Sequence, residues 1–283
     1  MQKILKTIFI TSIVTMVVID HVLAADCDIF IHGYTPEGQG YFGELPRQVV
    51  WNANEPIETS APKVADKILE LMDTCEKDEP VVLRPHSYGV AQVHYILGKG
   101  KQFQALYPEH KYVQIYQRTT EVYAFTGAYH GTPLMDLICA KKVTQALGKR
   151  FGRLCVTTLT TSKTFNVSHI VQSPGVPTHL IYSSDRSGFG GLLGGIIAKH
   201  LVDWRAFIFH GVRNQNDNTL PLYATKACAE QQLIEDPEFE CKNLDSNYFV
   251  NFYHLKDKSH SGYVDDHEFM LIKHQHSDAS QQK

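Results

Sequence analysis

The segment 81–90 constrains the fold of this 283-residue chain more than any other part of the sequence. An apolar run stops before Ser87, Gly89 follows two places later, and a helix-patterned segment begins there. This arrangement is typical of a nucleophile elbow, a sharp strand-to-helix turn that lifts a serine hydroxyl clear of a sheet. Pro85 stands where the usual G-x-S-x-G pattern has its first glycine. Because proline lacks a ladder donor, we predict that the strand ends at this residue.

Strands and helices alternate along the rest of the chain, which predicts an α/β fold with a mostly parallel sheet and helices on both faces. Gly98 and Gly100 predict the end of the helix that follows the elbow. Residues 112–116 are apolar and short, and we interpret them as a strand. The other predicted strands are 28–31, the strand that begins at Val81, 122–125, 179–183 and 249–252, and the other predicted helices are 61–75 and most of 132–165.

The first 24 residues have the pattern of a secretory signal peptide. Lys3 and Lys6 precede an apolar stretch at 8–19, and small residues follow at 22–24. An uncleaved anchor is the alternative, but the stretch is short for a membrane span. We therefore expect a secreted or periplasmic protein in which residues 25–283 form one domain. Its cap or lid segments are expected around 132–165 and 186–204.

Cysteine usage fits export to an oxidising compartment, since the number of cysteines is even and no C-x-x-C pair occurs. Sequence locality favours the pairs Cys139–Cys155 and Cys228–Cys241. Cys27 would begin a strand and Cys75 would end the following helix, two points that meet at one edge of an α/β sheet. This geometry favours the pair Cys27–Cys75. The alternative is that some of the six cysteines are free and buried.

An apolar, glycine-rich stretch at 189–198 has two interpretations. Its side chains, which include Leu192 and Leu193, would be costly to leave in water, so a buried loop or short helix under the cap is one. Its glycines make it conformationally loose, so a mobile lid over an active site is the other.

A serine that attacks esters needs a general base, a carboxylate that orients the base, and donors for the developing oxyanion. For the carboxylate we favour Asp217, because turn-forming residues surround it, over Asp185, which directly follows a predicted strand. For the base we favour His260 in a small polar loop over His267 in an acidic, helix-patterned run. Serine, acid and histidine then follow in the chain order that accompanies this elbow.

Two backbone amides are candidates for the oxyanion donors. One belongs to Tyr88, the residue after the serine, and the other to Tyr34, on the loop that leaves the first predicted strand. The side chain of His32 at the end of that strand is expected to be structural.

Five short motifs occur in order over residues 28–264: His32-Gly33, His86-Ser87-Tyr88-Gly89, residues 127–132, Asn216-Asp217 with Leu220-Pro221, and His260-Ser261-Gly262. Together they resemble bacterial secreted triacylglycerol lipases and related esterases of the α/β-hydrolase superfamily. The resemblance implies an α/β-hydrolase fold, the triad Ser87, Asp217 and His260, and the Tyr34 and Tyr88 amides as oxyanion hole.

The same resemblance implies that the stretch after Gly131 borders an acyl pocket. The pocket candidates are therefore His130 and Gly131, with Leu192 and Leu193 of the apolar stretch. Pro85 departs from the glycine or alanine of the family elbow. Some of these lipases hold calcium through an aspartate two places after the catalytic histidine, where this chain has Gly262, so we expect no metal and no cofactor.

These observations predict an exported serine hydrolase, a triacylglycerol lipase or a carboxylesterase, that cleaves carboxylic esters through an acyl-enzyme, with lipid esters as the expected substrates. A phospholipase or acyltransferase on the same triad is one alternative, and a catalytically inactive lipid-binding protein is the other. The formal net charge of −3 gives no reason to expect a nucleic-acid partner. Transient contact with a membrane or lipid interface is left open.

Overall fold

The computed structural model describes residues 26–35, 41–129, 131–140, 145, 155–160, 174–184 and 248–256. These residues form a six-stranded sheet in the order β2-β1-β3-β4-β5-β6, in which every neighbouring pair is parallel. The elements are β1 Cys27–Ile31, β2 Gln48–Val49, α1 Ile57–Met72, β3 Val81–Pro85, α2 Tyr88–Phe103, α3 Lys111–Arg118, β4 Thr119–Phe125, α4 Pro133–Ala140, β5 Thr178–Ser184 and β6 Phe249–Lys256. A short 3-10 turn spans Thr157–Leu159.

Every residue of β1 and of β3 is buried, as expected for central strands of a parallel sheet. Alternate side chains divide between two apolar clusters because successive residues of a strand point to opposite faces. Ile29 and Ile31 join the larger cluster, which also contains the buried faces of α1 and α2. Phe30 joins a smaller cluster with Phe42 and Phe125.

The helices α1, α2 and α3 pack on one another and form one layer against the sheet. The buried stripe of α1 contains Val64, Ile68 and Met72 at helical spacing. This helix begins at Ile57 rather than at the predicted residue 61, and the Ile57 amide donates to Thr158 Oγ1 at 3.0 Å. Helices on both faces remain a prediction, since the described helices establish this one layer.

Two sequence predictions in this layer are wrong. Residues 112–116 lie in α3, not in a strand, because Tyr112, Val113 and Ile115 form a buried helical face. The side chain of His110 caps this helix by accepting from the Tyr112 amide at 3.1 Å. The helix α2 does not stop at its glycines but continues to Phe103. Gly100 is needed inside it because the Tyr112 carbonyl of α3 occupies the space of a side chain.

Two of the three predicted disulfides are confirmed. Cys27 and Cys75 are bonded with their Cα atoms 5.8 Å apart, and Cys139 and Cys155 with theirs 5.0 Å apart. The predicted pair Cys228–Cys241 lies outside the described residues. The first disulfide joins the start of β1 to the turn after α1, which is the meeting point that an α/β unit predicts.

The signal peptide prediction at 1–24 and the cap segment at 186–204 also lie outside the described residues. Of the cap segment 132–165, the structure describes α4 and the short turn at Thr157–Leu159. Within the described part of the chain, no helix has both the length and the hydropathy that crossing a membrane requires.

A buried ion pair joins the central strands on the side of the smaller apolar cluster. Arg84 Nε of β3 donates to Asp28 Oδ1 of β1 at 2.6 Å, and the arginine side chain is fully buried. The guanidinium also lies over the Tyr123 ring, 4.5 Å from its centroid, and that ring stacks on His179. Burying a charge is costly unless it is paired, so Asp28 compensates for Arg84 within the sheet.

We predict that Asp28→Asn lowers the free energy of unfolding by about 3 kcal/mol, because it leaves the buried Arg84 charge uncompensated. Urea denaturation followed by circular dichroism measures the change. Glu70→Gln is the control, since it breaks an exposed pair with Lys67 and should cost less than about 1 kcal/mol. Equal losses in the two variants would contradict this interpretation of the buried pair.

Candidate active site

Ser87 lies in a sharp turn between the end of β3 and the first residue of α2. Its backbone has φ 54° and ψ −119°, a conformation that side-chain-bearing residues rarely adopt. Such a conformation costs about 1–3 kcal/mol and persists where surrounding contacts impose it. Two backbone hydrogen bonds do so here, from the His86 amide to the Ile31 carbonyl and from the Ser87 amide to the Phe125 carbonyl, both 2.9 Å.

Pro85 is the last residue of β3, as predicted, and lies opposite Ile31 of β1. The ring nitrogen of Pro85 cannot donate a hydrogen bond to the sheet. The amide of the next residue, His86, does donate, to the Ile31 carbonyl. The missing glycine of the usual motif therefore does not prevent the strand from turning sharply into a helix.

Gly89 allows α2 to approach the end of β1. A Cβ atom on this residue would lie 2.5 Å from the Ile31 carbonyl oxygen and 2.7 Å from that of His32. Both atoms belong to the backbone and cannot move aside, so the second glycine of the elbow is a steric requirement. Its consequence is that the amino end of α2 lies next to the loop that leaves β1.

The loop that leaves β1 lies directly against the candidate nucleophile. A Cβ atom on Gly33 would be 2.7 Å from Cβ of Ser87, so a side chain has no space there. The two turns meet because Ile31 and Pro85 are aligned in the parallel register of β1 and β3. This contact brings together the two segments on which the sequence places the oxyanion donors.

His32 holds this loop in place. The Trp51 amide donates to its Nε2 at 3.2 Å, and its Nδ1 donates to the Gly33 carbonyl at 2.8 Å. An amide can only donate and a carbonyl can only accept, so the imidazole is neutral with its proton on Nδ1. The Trp51 indole stacks on the imidazole and donates to the His32 carbonyl at 3.3 Å. The structural role expected for His32 therefore agrees with its contacts.

The amide of Tyr88 is among the first in α2, and amides in the first turn of a helix have no acceptor within that helix. The partial positive charge of the helix start favours an anion at this point. The Tyr88 side chain faces away from this role, since it is buried and its hydroxyl donates to the Glu55 carbonyl at 3.0 Å. Burial raises the pKa of this phenol, so it stays neutral. The assignment of the Tyr34 and Tyr88 amides as oxyanion donors stays a prediction.

Most of the other predicted site residues lie outside the described residues: Asp217, His260, their rivals Asp185 and His267, and the pocket candidates His130, Leu192 and Leu193. Gly131 is described and has φ 70°. A Cβ atom on it would lie 2.7 Å from the Leu159 carbonyl oxygen, so this glycine permits close backbone packing. Its place in an acyl pocket stays a prediction.

Tyr41 is a residue of this region that the sequence did not single out. Its hydroxyl and Nδ1 of His86 share a hydrogen bond of 2.5 Å, although the two residues are 45 positions apart. Tyr41 lies in the polar loop between β1 and β2, where no hydrophobic period predicts a contact. The one available signal was an aromatic residue within that loop.

One group in the described part of the chain has the spacing of a metal site, formed by Cys27, Cys75 and Glu79. Metal binding requires free thiolates. The two cysteines are joined in a disulfide, so this group gives no support for a bound metal.

A parallel sheet with a strained serine between a strand and a helix, beside the loop of the neighbouring strand, fits the α/β-hydrolase fold. The chain is similar in structure to the lipase BlEst2 of Bacillus licheniformis in its mature form. The TM-score is 0.57 at 13% identity, covering 88% of this chain and 93% of that one. The propeptide form of BlEst2 gives a TM-score of 0.56 at 14% identity, covering 88% of this chain, which spans about half (51%) of that longer chain. No family model and no curated protein matches the sequence. Because the identities to these structures are this low, the likeness shows the fold alone.

We predict a pH dependence of stability that depends on His32. Burial lowers its pKa below the ordinary 6.5, against the opposing effect of its hydrogen bond to the Gly33 carbonyl. The unfolded chain takes up a proton near pH 6.5 and the folded chain only at lower pH. The contribution of His32 to stability is therefore complete above pH 6.5 and is lost as the pH falls below it.

Urea denaturation at a series of pH values measures this effect. Below pH 6.5 the unfolding free energy of the wild type should decline more steeply than that of His32→Gln, which cannot titrate. Parallel curves for the two proteins would show that His32 is not kept neutral by the fold.

Proposed function

We propose that this protein is an exported serine hydrolase that cleaves carboxylic esters, with lipid esters as its substrates. The observation that supports this most is the strained Ser87 between β3 and α2, packed against Gly33. A serine serving only as a helix cap could adopt ordinary backbone angles, whereas this one is held at positive φ by bonds from two neighbouring strands.

In the proposed reaction, Ser87 Oγ attacks the ester carbonyl while His260 accepts its proton. Asp217 holds the imidazole in the required tautomer and stabilises its cation. The carbonyl electrons move to oxygen and form a tetrahedral oxyanion. When they return, the bond to the leaving alcohol breaks, and His260 gives the alcohol its proton. Water then attacks the acyl-enzyme by the same steps and releases the acid.

The oxyanion would receive hydrogen bonds from the Tyr34 and Tyr88 amides. The contact between Gly33 and Ser87 supports this, because it brings the backbone of the β1 loop to the serine. Donors that are already oriented toward the oxyanion stabilise the transition state without reorganisation. Removal of one such donor costs roughly 10²–10³ in kcat in a comparable hydrolase.

Support for a lipid substrate comes from the apolar stretch that contains Leu192 and Leu193, which would line the acyl pocket with His130 and Gly131. The two disulfides agree with an oxidising compartment, and together with the predicted signal peptide they support export to the periplasm or the medium. A phospholipase or acyltransferase would use the same residues on another headgroup or acceptor. The inactive alternative rested on Pro85, which the end of β3 accommodates.

We predict that Ser87→Ala abolishes turnover of p-nitrophenyl esters, lowering kcat by about 10⁶ because the nucleophile is missing. Initial-rate measurements on short- and long-chain esters test this. Ser60→Ala is the matched control. It removes another buried serine hydroxyl, which is bonded to the Pro56 carbonyl and to Gln92 within the helix layer. Ser60→Ala should keep its activity, and substantial turnover by Ser87→Ala would exclude Ser87 as the nucleophile.

We predict that Asp217→Asn and His260→Gln each lower kcat by about 10⁴ or more, because each removes a member of the proton-transfer unit. The rival substitutions Asp185→Asn and His267→Gln should leave kcat within about twofold, since neither residue belongs to the proposed proton-transfer unit. The same ester assay measures all four variants. A large loss in Asp185→Asn or His267→Gln, with activity kept in its counterpart, would reassign the acid or the base.

A further inference from the structure

We propose that Tyr41 is a positioning residue of this site. Its hydroxyl, bonded to His86, holds the loop at residues 32–34 in register with the elbow, so that the oxyanion donors on the two segments stay aligned. The inference rests on the proposed function and adds a residue that neither the sequence motifs nor the proposed mechanism contains.

The first support is that Tyr41 binds to the rigid part of the elbow. Its hydroxyl partner, Nδ1 of His86, belongs to a fully buried residue directly before Ser87. The His86 backbone is fixed at both ends, since its amide donates to the Ile31 carbonyl at 2.9 Å and its carbonyl accepts from the Gly89 amide at 2.8 Å. The Tyr41 hydroxyl is therefore anchored to a part of the chain that has little freedom to move.

The second support is that the same pair contacts the loop on the other side. A Cβ atom on Gly33 would lie 3.1 Å from Tyr41 Oη, 3.2 Å from His86 Nδ1 and 2.7 Å from Ser87 Cβ. These three atoms thus lie around the position that a side chain on Gly33 would occupy. The distance between Tyr41 Oη and Ser87 Cβ cannot exceed the sum of their distances to the Gly33 Cβ position. The phenol therefore lies at the edge of the candidate site.

The third support is that the Tyr41 ring bridges the two turns. Its centroid is 5.6 Å from that of His32 and 5.6 Å from that of His86, each at an interplanar angle of 40°. One histidine precedes Gly33 and the other precedes Ser87. The ring packs between the two turns, while the hydrogen bond to His86 fixes the position of the ring between them.

Alignment of this kind matters because oxyanion stabilisation depends on donors aimed at the transition state. A misplacement of about 1 Å can cost about 10²-fold in rate. Tyr41→Phe keeps the ring between the two histidines and removes the hydrogen bond. It should therefore loosen the alignment without opening a cavity.

Tyr41→Phe should lower kcat for p-nitrophenyl esters about tenfold and leave KM within about twofold, because the loss falls on the transition state. Inhibition by a trifluoromethyl ketone, whose adduct with a serine carries an oxyanion, should weaken by about the same factor. Tyr116→Phe is the control. It removes the hydroxyl of another half-buried tyrosine, bonded to the Gly175 carbonyl at 3.4 Å near the start of β5, and should change neither constant.

Two variants of His86 test whether Tyr41 acts through this residue. His86→Asn places a polar group where Nδ1 lies and can keep a bond to Tyr41, whereas His86→Gln places it where Nε2 lies. Tyr41→Phe should lower kcat in the His86→Asn background and have no further effect in the His86→Gln background. An equal loss in both backgrounds would mean that the phenol acts on the substrate directly, and would overturn the proposal.

The remaining outcomes separate this inference from the proposed function. If the wild type turns over esters and is labelled by a fluorophosphonate, but Tyr41→Phe has unchanged kcat and unchanged inhibition, the inference on Tyr41 fails alone. A wild type without turnover and without labelling overturns both. A loss in Tyr41→Phe that follows the fraction of unfolded protein in thermal denaturation would assign Tyr41 a purely structural role.

Discussion

Backbone hydrogen bonds from two neighbouring strands hold Ser87 in a conformation that it would not adopt alone. The Ile31 carbonyl of β1 accepts from the His86 amide, and the Phe125 carbonyl of β4 accepts from the Ser87 amide. These bonds are possible because β1, β3 and β4 end together at one edge of a parallel sheet. The sheet register therefore determines where the serine lies, and the rest of the site is arranged around that position.

The position of Ser87 also depends on Gly33 and Gly89, which carry no side chain. They let three backbone segments approach one another more closely than any side chain would allow. The approach brings the loop after β1 against Ser87, the residue that directly precedes α2. His32, which accepts a hydrogen bond from the Trp51 amide, and Tyr41, which is bonded to His86, hold this loop. Each of these contacts restricts backbone amides rather than supplying a reactive group.

The elbow, β1 and two disulfides could be predicted because local pattern and α/β topology determine them. Cys27 and Cys75 illustrate this, since a strand start and the turn after the next helix meet at one sheet edge. Residues 112–116 were misassigned because five residues cannot distinguish a buried helical face from a strand. Tyr41 was missed because its contact with His86 exists only in the folded sheet. The buried pair of Asp28 and Arg84 is likewise visible only once β1 and β3 are aligned.

The most direct test of this account is a crystal structure of the protein after reaction with an alkyl fluorophosphonate. The account predicts a covalent bond from phosphorus to Ser87 Oγ, with the phosphoryl oxygen within hydrogen-bond distance of the Tyr34 and Tyr88 amides. An adduct on another residue, or a phosphoryl oxygen directed away from the loop at 32–34, would contradict it.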